Sequence, residues 1–130
     1  MKTMPAIIIT ALLMGCDGQT IVEHRVDNAS SHTVRMVFHA DAYHGFEGDT
    51  LVLAPGSVTR VGWNDMRGGR RDYRRPAEGI DSVHVEVEGG GSLNRDLRSD
   101  AEWAVDSKGK GIRGSFSHIC TFHFTDADID

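Results

Sequence analysis

The chain has 130 residues, 39% of them hydrophobic and 25% charged, which suits one folded domain with a real core and is too short for two. Its 19 Asp+Glu outnumber its 14 Lys+Arg, and a formal charge of −5 argues against nucleic acid as the main partner. No internal repeat, heptad pattern or low-complexity tail interrupts it.

Residues 1–15 read as a removable export leader. Lys2 supplies a positive start, residues 6–13 a short apolar run, and Gly15 the small residue that a signal peptidase needs beside its cut. A spanning helix needs roughly 20 apolar residues, and Asp17-Gly18-Gln19-Thr20 ends this run too early. The segment Leu13-Met14-Gly15-Cys16 resembles a bacterial lipobox, with Met14 bulkier than is usual at its position. That resemblance implies a diacylglyceryl group on Cys16 and palmitate-type acyl chains at the new N-terminus. Because each buried methylene contributes about 0.8 kcal/mol, several chains make such anchoring effectively permanent. Residues 16–19 are then a short tether and residues 20–130 the domain. Removing the leader takes away one cation, Lys2, so 13 Lys+Arg remain against 19 Asp+Glu, a net of −6.

The rest reads as strands separated by turns. Residues 20–26 are rich in β-branched side chains, residues 27–31 carry turn residues, and residues 33–39 put Val34, Met36 and Phe38 on one face, so a hairpin is expected. Residues 50–53 and 57–62 flank Ala54-Pro55-Gly56, a tight turn that predicts a second hairpin. A long loop follows over 63–79. Residues 82–88 alternate strictly, with Val83, Val85 and Val87 inward and His84, Glu86 and Glu88 outward. Residues 93–100 fit no period. Residues 101–105 suit a short strand or a brief helix around Trp103, residues 107–111 a flexible polar link, and residues 118–125 a closing strand with Cys120, Phe122 and Phe124 on one face. The expected fold is all-β, a single antiparallel β-sandwich (immunoglobulin-like) of about seven strands.

The strongest charge bias lies in the long loop, where Arg67, Arg70, Arg71, Arg74 and Arg75 fall within nine residues around Tyr73. Guanidinium forks suit phosphate, sulfate or carboxylate, so the loop is a candidate site for lipid head groups, an anionic glycan or the acidic patch of an envelope protein. Tyr73 could stack on a sugar or base. The competing reading is a solvated loop whose arginines meet surface carboxylates.

Seven histidines are scattered without a recognised ligand spacing, so no metal site is expected. His39 and His44, which flank one loop, are the pair to watch. His24 shares a face with Val22 and Val26, whereas His84 and His123 point outward. The acidic tail, residues 126–130, lacks the Gly and distal Glu of an EF-hand loop and reads as a solvated end. With Cys16 taken by lipid, Cys120 has no disulfide partner and reads as a buried, small hydrophobe. Nucleophile elbows, zincin helices and P-loops are absent, and no cofactor is implied.

From the lipobox to the closing aromatic strand, the chain resembles small bacterial envelope lipoproteins with one β-sandwich domain. The resemblance implies a location, lipid-anchored to a membrane of the cell envelope, and a fold, but no catalytic residues. The preferred functional reading is a non-enzymatic binding or assembly module that uses its end loops, including residues 67–76. The alternative is an envelope hydrolase acting on glycan or lipid.

Overall fold

The computed structural model describes residues 18–109 and 114–130. The expected leader and Cys16 lie outside them. Seven strands form two sheets: β1 (Gln19–Asn28), β2 (Val34–Ala40), β3 (Leu51–Leu53), β4 (Ser57–Arg67), β5 (Ile80–Val87), β6 (Ala104–Gly109) and β7 (Phe116–Phe124). One sheet has the order β4-β1-β7-β6, the other β3-β2-β5. The expected all-β sandwich is therefore present. Its ladders are antiparallel except for β1 and β7, which run parallel at the centre of the larger sheet.

Alternation decides which side chains form the core. On β1 the inward positions are Thr20, Val22, His24, Val26 and Asn28, and on β7 they are Phe116, His118, Cys120, Phe122 and Phe124. The register sets these side by side, His24 next to Cys120 and Val26 next to Phe122. Val34, Met36 and Phe38 of β2 and Leu53 of β3 complete the layer from the other sheet. Burying one Phe contributes about 1.5–3 kcal/mol, so Phe122 and Phe124, both at 0% exposure, are main supports of the inter-sheet layer. Cys120 is also fully buried, and burial pushes its thiol up to about 12, which makes it a core side chain rather than a nucleophile.

Neither expected hairpin forms. The turn at Ala54-Pro55-Gly56 is real, with Gly56 at φ +73° and Ser57 N–H donating to the Ala54 carbonyl at 3.1 Å. It carries the chain from β3 in one sheet to β4 in the other. The bend after β1 likewise crosses between sheets. There the buried Asn28 donates through Nδ2 to the carbonyls of His32 (2.8 Å) and Leu53 (3.0 Å), while its Oδ1 accepts from the Ser30 hydroxyl at 2.6 Å. A side chain of one sheet thus ties down the backbone of the other.

Three further stretches differ from expectation. β4 continues to Arg67 instead of ending at residue 62, because it stays paired with β1 as far as Gln19 and Arg67, with Met66 turned inward. Part of the expected polar link is β6, which is exposed along its whole length. The acidic tail is exposed at Asp126, Ala127 and Asp130 as expected, but it is ordered: Asp126–Asp128 form a 3-10 turn with a capping box on Thr125, and Leu93 bridges to Ile129. Arg95 locks this corner, with Nε donating to Glu102 at 2.6 Å, Nη1 reaching Asp128 at 3.3 Å, and the guanidinium 4.9 Å from the Phe122 ring centre.

Candidate functional site: the arginine loop and its buried supports

The chain between β4 and β5 crosses one end of the sandwich, and its backbone is held at four places. Thr20 Oγ1 donates to the Gly68 carbonyl at 2.6 Å and accepts from Arg70 N–H at 2.8 Å. His118 Nε2 lies 2.6 Å from the Arg70 carbonyl, and His24 Nε2 lies 2.7 Å from that of Pro76. Asp100 Oδ1 accepts from Ala77 N–H at 2.9 Å. Pro76 and Ala77 are buried as a result.

A carbonyl can only accept, so both histidines must carry their hydrogen on Nε2. For His118 this leaves Nδ1 to accept from Ser107 Oγ at 2.7 Å, and the neutral ring is fully satisfied. For His24 it leaves Nδ1 buried without a partner, packed in aromatic surroundings of Phe46, Trp103 and Tyr73. Protonation would add a charged N–H there with nothing to receive it. Burial is the main reason that the His24 pKa falls to about 4, with the Pro76 bond opposing the shift.

Above these supports the arginines point outward. Arg67, Arg70, Arg71, Arg74 and Arg75 are all exposed. Arg74 approaches Asp72 at 3.7 Å, and Arg75 approaches Glu78 at 3.5 Å and Asp100 at 3.9 Å. Among the described residues, Arg67, Arg70 and Arg71 form no ion pair. Tyr73 behaves differently from its neighbours. Its ring is half-buried and stacked on His118 at 5.7 Å and 22°, and burial pushes its hydroxyl up to about 12. It works as a peg that fixes the loop, with one ring face already covered.

Sequence reasoning located the arginines but missed His118 as a support. Its signal was present, since His118 has the same parity as Cys120, Phe122 and Phe124. His24, His84 and His123 fall on the expected faces. His39 is exposed on β2, and His44 Nδ1 is bound to Asp41 at 2.6 Å. Among the described residues, no three His, Cys, Asp or Glu side chains are placed to share a metal ion.

A cavity of about 370 Å³ lies between β5 and residues 92–98, lined by Val83, Val85, Leu93 and Leu97 with His84, Asp96 and Arg98 among its polar groups. Asp96 Oδ1 accepts from the Arg98 amide at 2.9 Å. No hydrogen bond joins His84 to Asp96 among the described residues.

No described helix is long and apolar enough to cross a membrane. Compared with protein-family models, curated proteins and solved structures, the chain matches none. The class that its own geometry defines is a two-sheet β-sandwich bearing a pinned, arginine-rich end loop.

Proposed function

We propose that this is a lipid-anchored protein of the bacterial cell envelope, acylated at Cys16, which acts as a non-enzymatic binding or assembly module through loop 67–76. One observation carries the reading: the loop backbone is fixed by buried side chains while its guanidinium groups stay in solvent. A loop ordered in advance does not lose that freedom again on binding, which lowers the cost of association. Planar guanidinium forks on such a frame suit phosphate, sulfate or carboxylate groups of an anionic glycan or an envelope protein.

The test is affinity capture from solubilised envelopes, comparing wild type with a variant in which Arg70, Arg71, Arg74 and Arg75 are changed to Gln. The variant should fold normally and lose the captured glycan or protein. Equal capture by both would overturn the loop as contact face. Cys16→Ala should release the protein from membrane fractions or leave it unprocessed, and unchanged acylation would overturn the anchor.

A further inference from the structure

The first described residues of the chain and the arginines share one end of the sandwich. Gly18 accepts through its carbonyl from Gly68 N–H at 3.2 Å, Gln19 pairs with Arg67 in the β1–β4 ladder, and Thr20 Oγ1 holds the Arg70 amide. Gly18, two residues along the chain from Cys16, therefore lies beside Arg67, Gly68 and Arg70. Two peptide units separate Gly18 from Cys16, and they span at most about 7 Å. Adding one inter-strand spacing of roughly 5 Å keeps the backbone of Arg67 and Gly68 within about 12 Å of the acyl-bearing residue. That distance is comparable with a Debye length of about 8 Å at physiological salt.

We infer that loop 67–76 lies against the membrane that holds the anchor and binds the phosphate groups of anionic phospholipids, so that the domain stands on its arginine end in a fixed orientation. The inference rests on the proposed acylation of Cys16, and it narrows the ligand of loop 67–76 from an anionic glycan or envelope protein to the anionic membrane surface itself. Charge favours it: residues 67–76 carry five arginines against the single carboxylate Asp72, on a chain whose net charge without the leader is −6. An acidic domain held by so short a tether is repelled from an anionic surface in other orientations and attracted in this one. Arg67, Arg70 and Arg71, which have no ion pair among the described residues, face the surface without first breaking one. Each basic residue near an anionic leaflet shifts the population roughly fivefold.

The experiment uses the full chain, purified from a bacterial membrane, with acylation of Cys16 established by mass. It is placed in vesicles of phosphatidylcholine alone or of an equal mixture of phosphatidylcholine and phosphatidylglycerol, and trypsin cleavage is followed at the loop arginines and at Arg98. Cleavage after Arg70, Arg71 and Arg74 should slow at least roughly fivefold in the anionic vesicles. Cleavage after the exposed Arg98 should not change, and high salt should abolish the difference. In the variant with Arg67, Arg70 and Arg71 changed to Gln, the protection of Arg74 should disappear. Equal loop cleavage in both vesicles with Cys16 acylated would overturn the orientation and leave the anchor standing. Protection that needs added envelope extract would assign the loop to a protein instead. An unacylated Cys16 would overturn both anchor and orientation.

Discussion

His118 and Arg70 are joined at 2.6 Å through the Nε2–H of a fully buried ring and the backbone carbonyl of an exposed loop residue. The loop's conformation is thereby decided inside the sandwich while its chemistry stays outside. The same ring stacks on Tyr73 and receives the Ser107 hydroxyl, so one side chain couples β6, β7 and the loop.

Replacing His118 with Leu should test that coupling. The Arg70 carbonyl would lose its partner at the edge of the core, at a cost of about 1–3 kcal/mol. Amide exchange at Arg70 and Arg71 should accelerate more than exchange at Val26 or Phe122. Uniform acceleration across the sandwich would show that His118 supports the fold as a whole and not the loop in particular.

The His24 ring gives a pH dependence with a definite direction. Its folded pKa of about 4 lies below the ordinary histidine value of about 6.5, so the unfolded chain binds the proton more readily. Stability is greatest above about pH 6.5 and declines as the pH falls toward 4, by about 3 kcal/mol in total from this group. Below that range the folded ring also protonates and the loss ends. Denaturant titrations at a series of pH values should show this slope, and His24→Phe should remove it at the cost of the Pro76 bond. A slope that persists in the variant would assign the effect to other groups.

Two glycines with almost the same positive φ separate conformational cost from steric cost. Gly56 has φ +73° and open space where a Cβ would go. Gly45 has φ +74°, and its Cβ would sit 2.1 Å from the Trp63 carbonyl oxygen. Gly56→Ala should cost about 1–2 kcal/mol from the left-handed conformation alone. Gly45→Ala should cost roughly 2 kcal/mol more, since backbone must move. Urea midpoints measure both, and equal values would contradict the close approach at Trp63.

Asn28 fastens the opposite end of the sandwich. Asn28→Ala leaves the Leu53 carbonyl and the Ser30 hydroxyl without their buried partner and should cost about 3 kcal/mol. Asn28→Asp should be worse at neutral pH, because a carboxylate oxygen would replace the amide donor among carbonyls. Thermal melts of the two variants should rank in that order, and a reversed rank would mean that the amide is not the inter-sheet fastener.

What was legible in the sequence was mostly local. The alternation over residues 82–88 fixed the faces of β5, and the parity of Cys120, Phe122 and Phe124 fixed those of β7. Turn chemistry at Ala54-Pro55-Gly56 announced a reversal, yet nothing local says whether the next strand rejoins its own sheet or crosses to the facing one. β6 has no buried residue to give it a pattern, so the sequence shows a possible strand only over 101–105 and a polar link over the rest of it. The arginines of the site were visible because charge is written in the sequence. Their supports were not, since His24 with Pro76 and His118 with Arg70 meet only once the loop is laid across the end of the sheets.

The parallel pairing of β1 with β7 also has a consequence in time. It joins residues 20–28 to residues 116–124 at the centre of the larger sheet. Until the last of these has been synthesised, β1 lacks its second neighbour: Val22 has no His118 beside it, and Val26 no Phe122. Closure of the sheet depends on contacts between distant parts of the chain, which form slowly. The larger sheet therefore remains two separate halves, β4-β1 and whatever later joins it, until residues 116–124 have been added, whereas the β3-β2-β5 sheet needs nothing beyond residue 87.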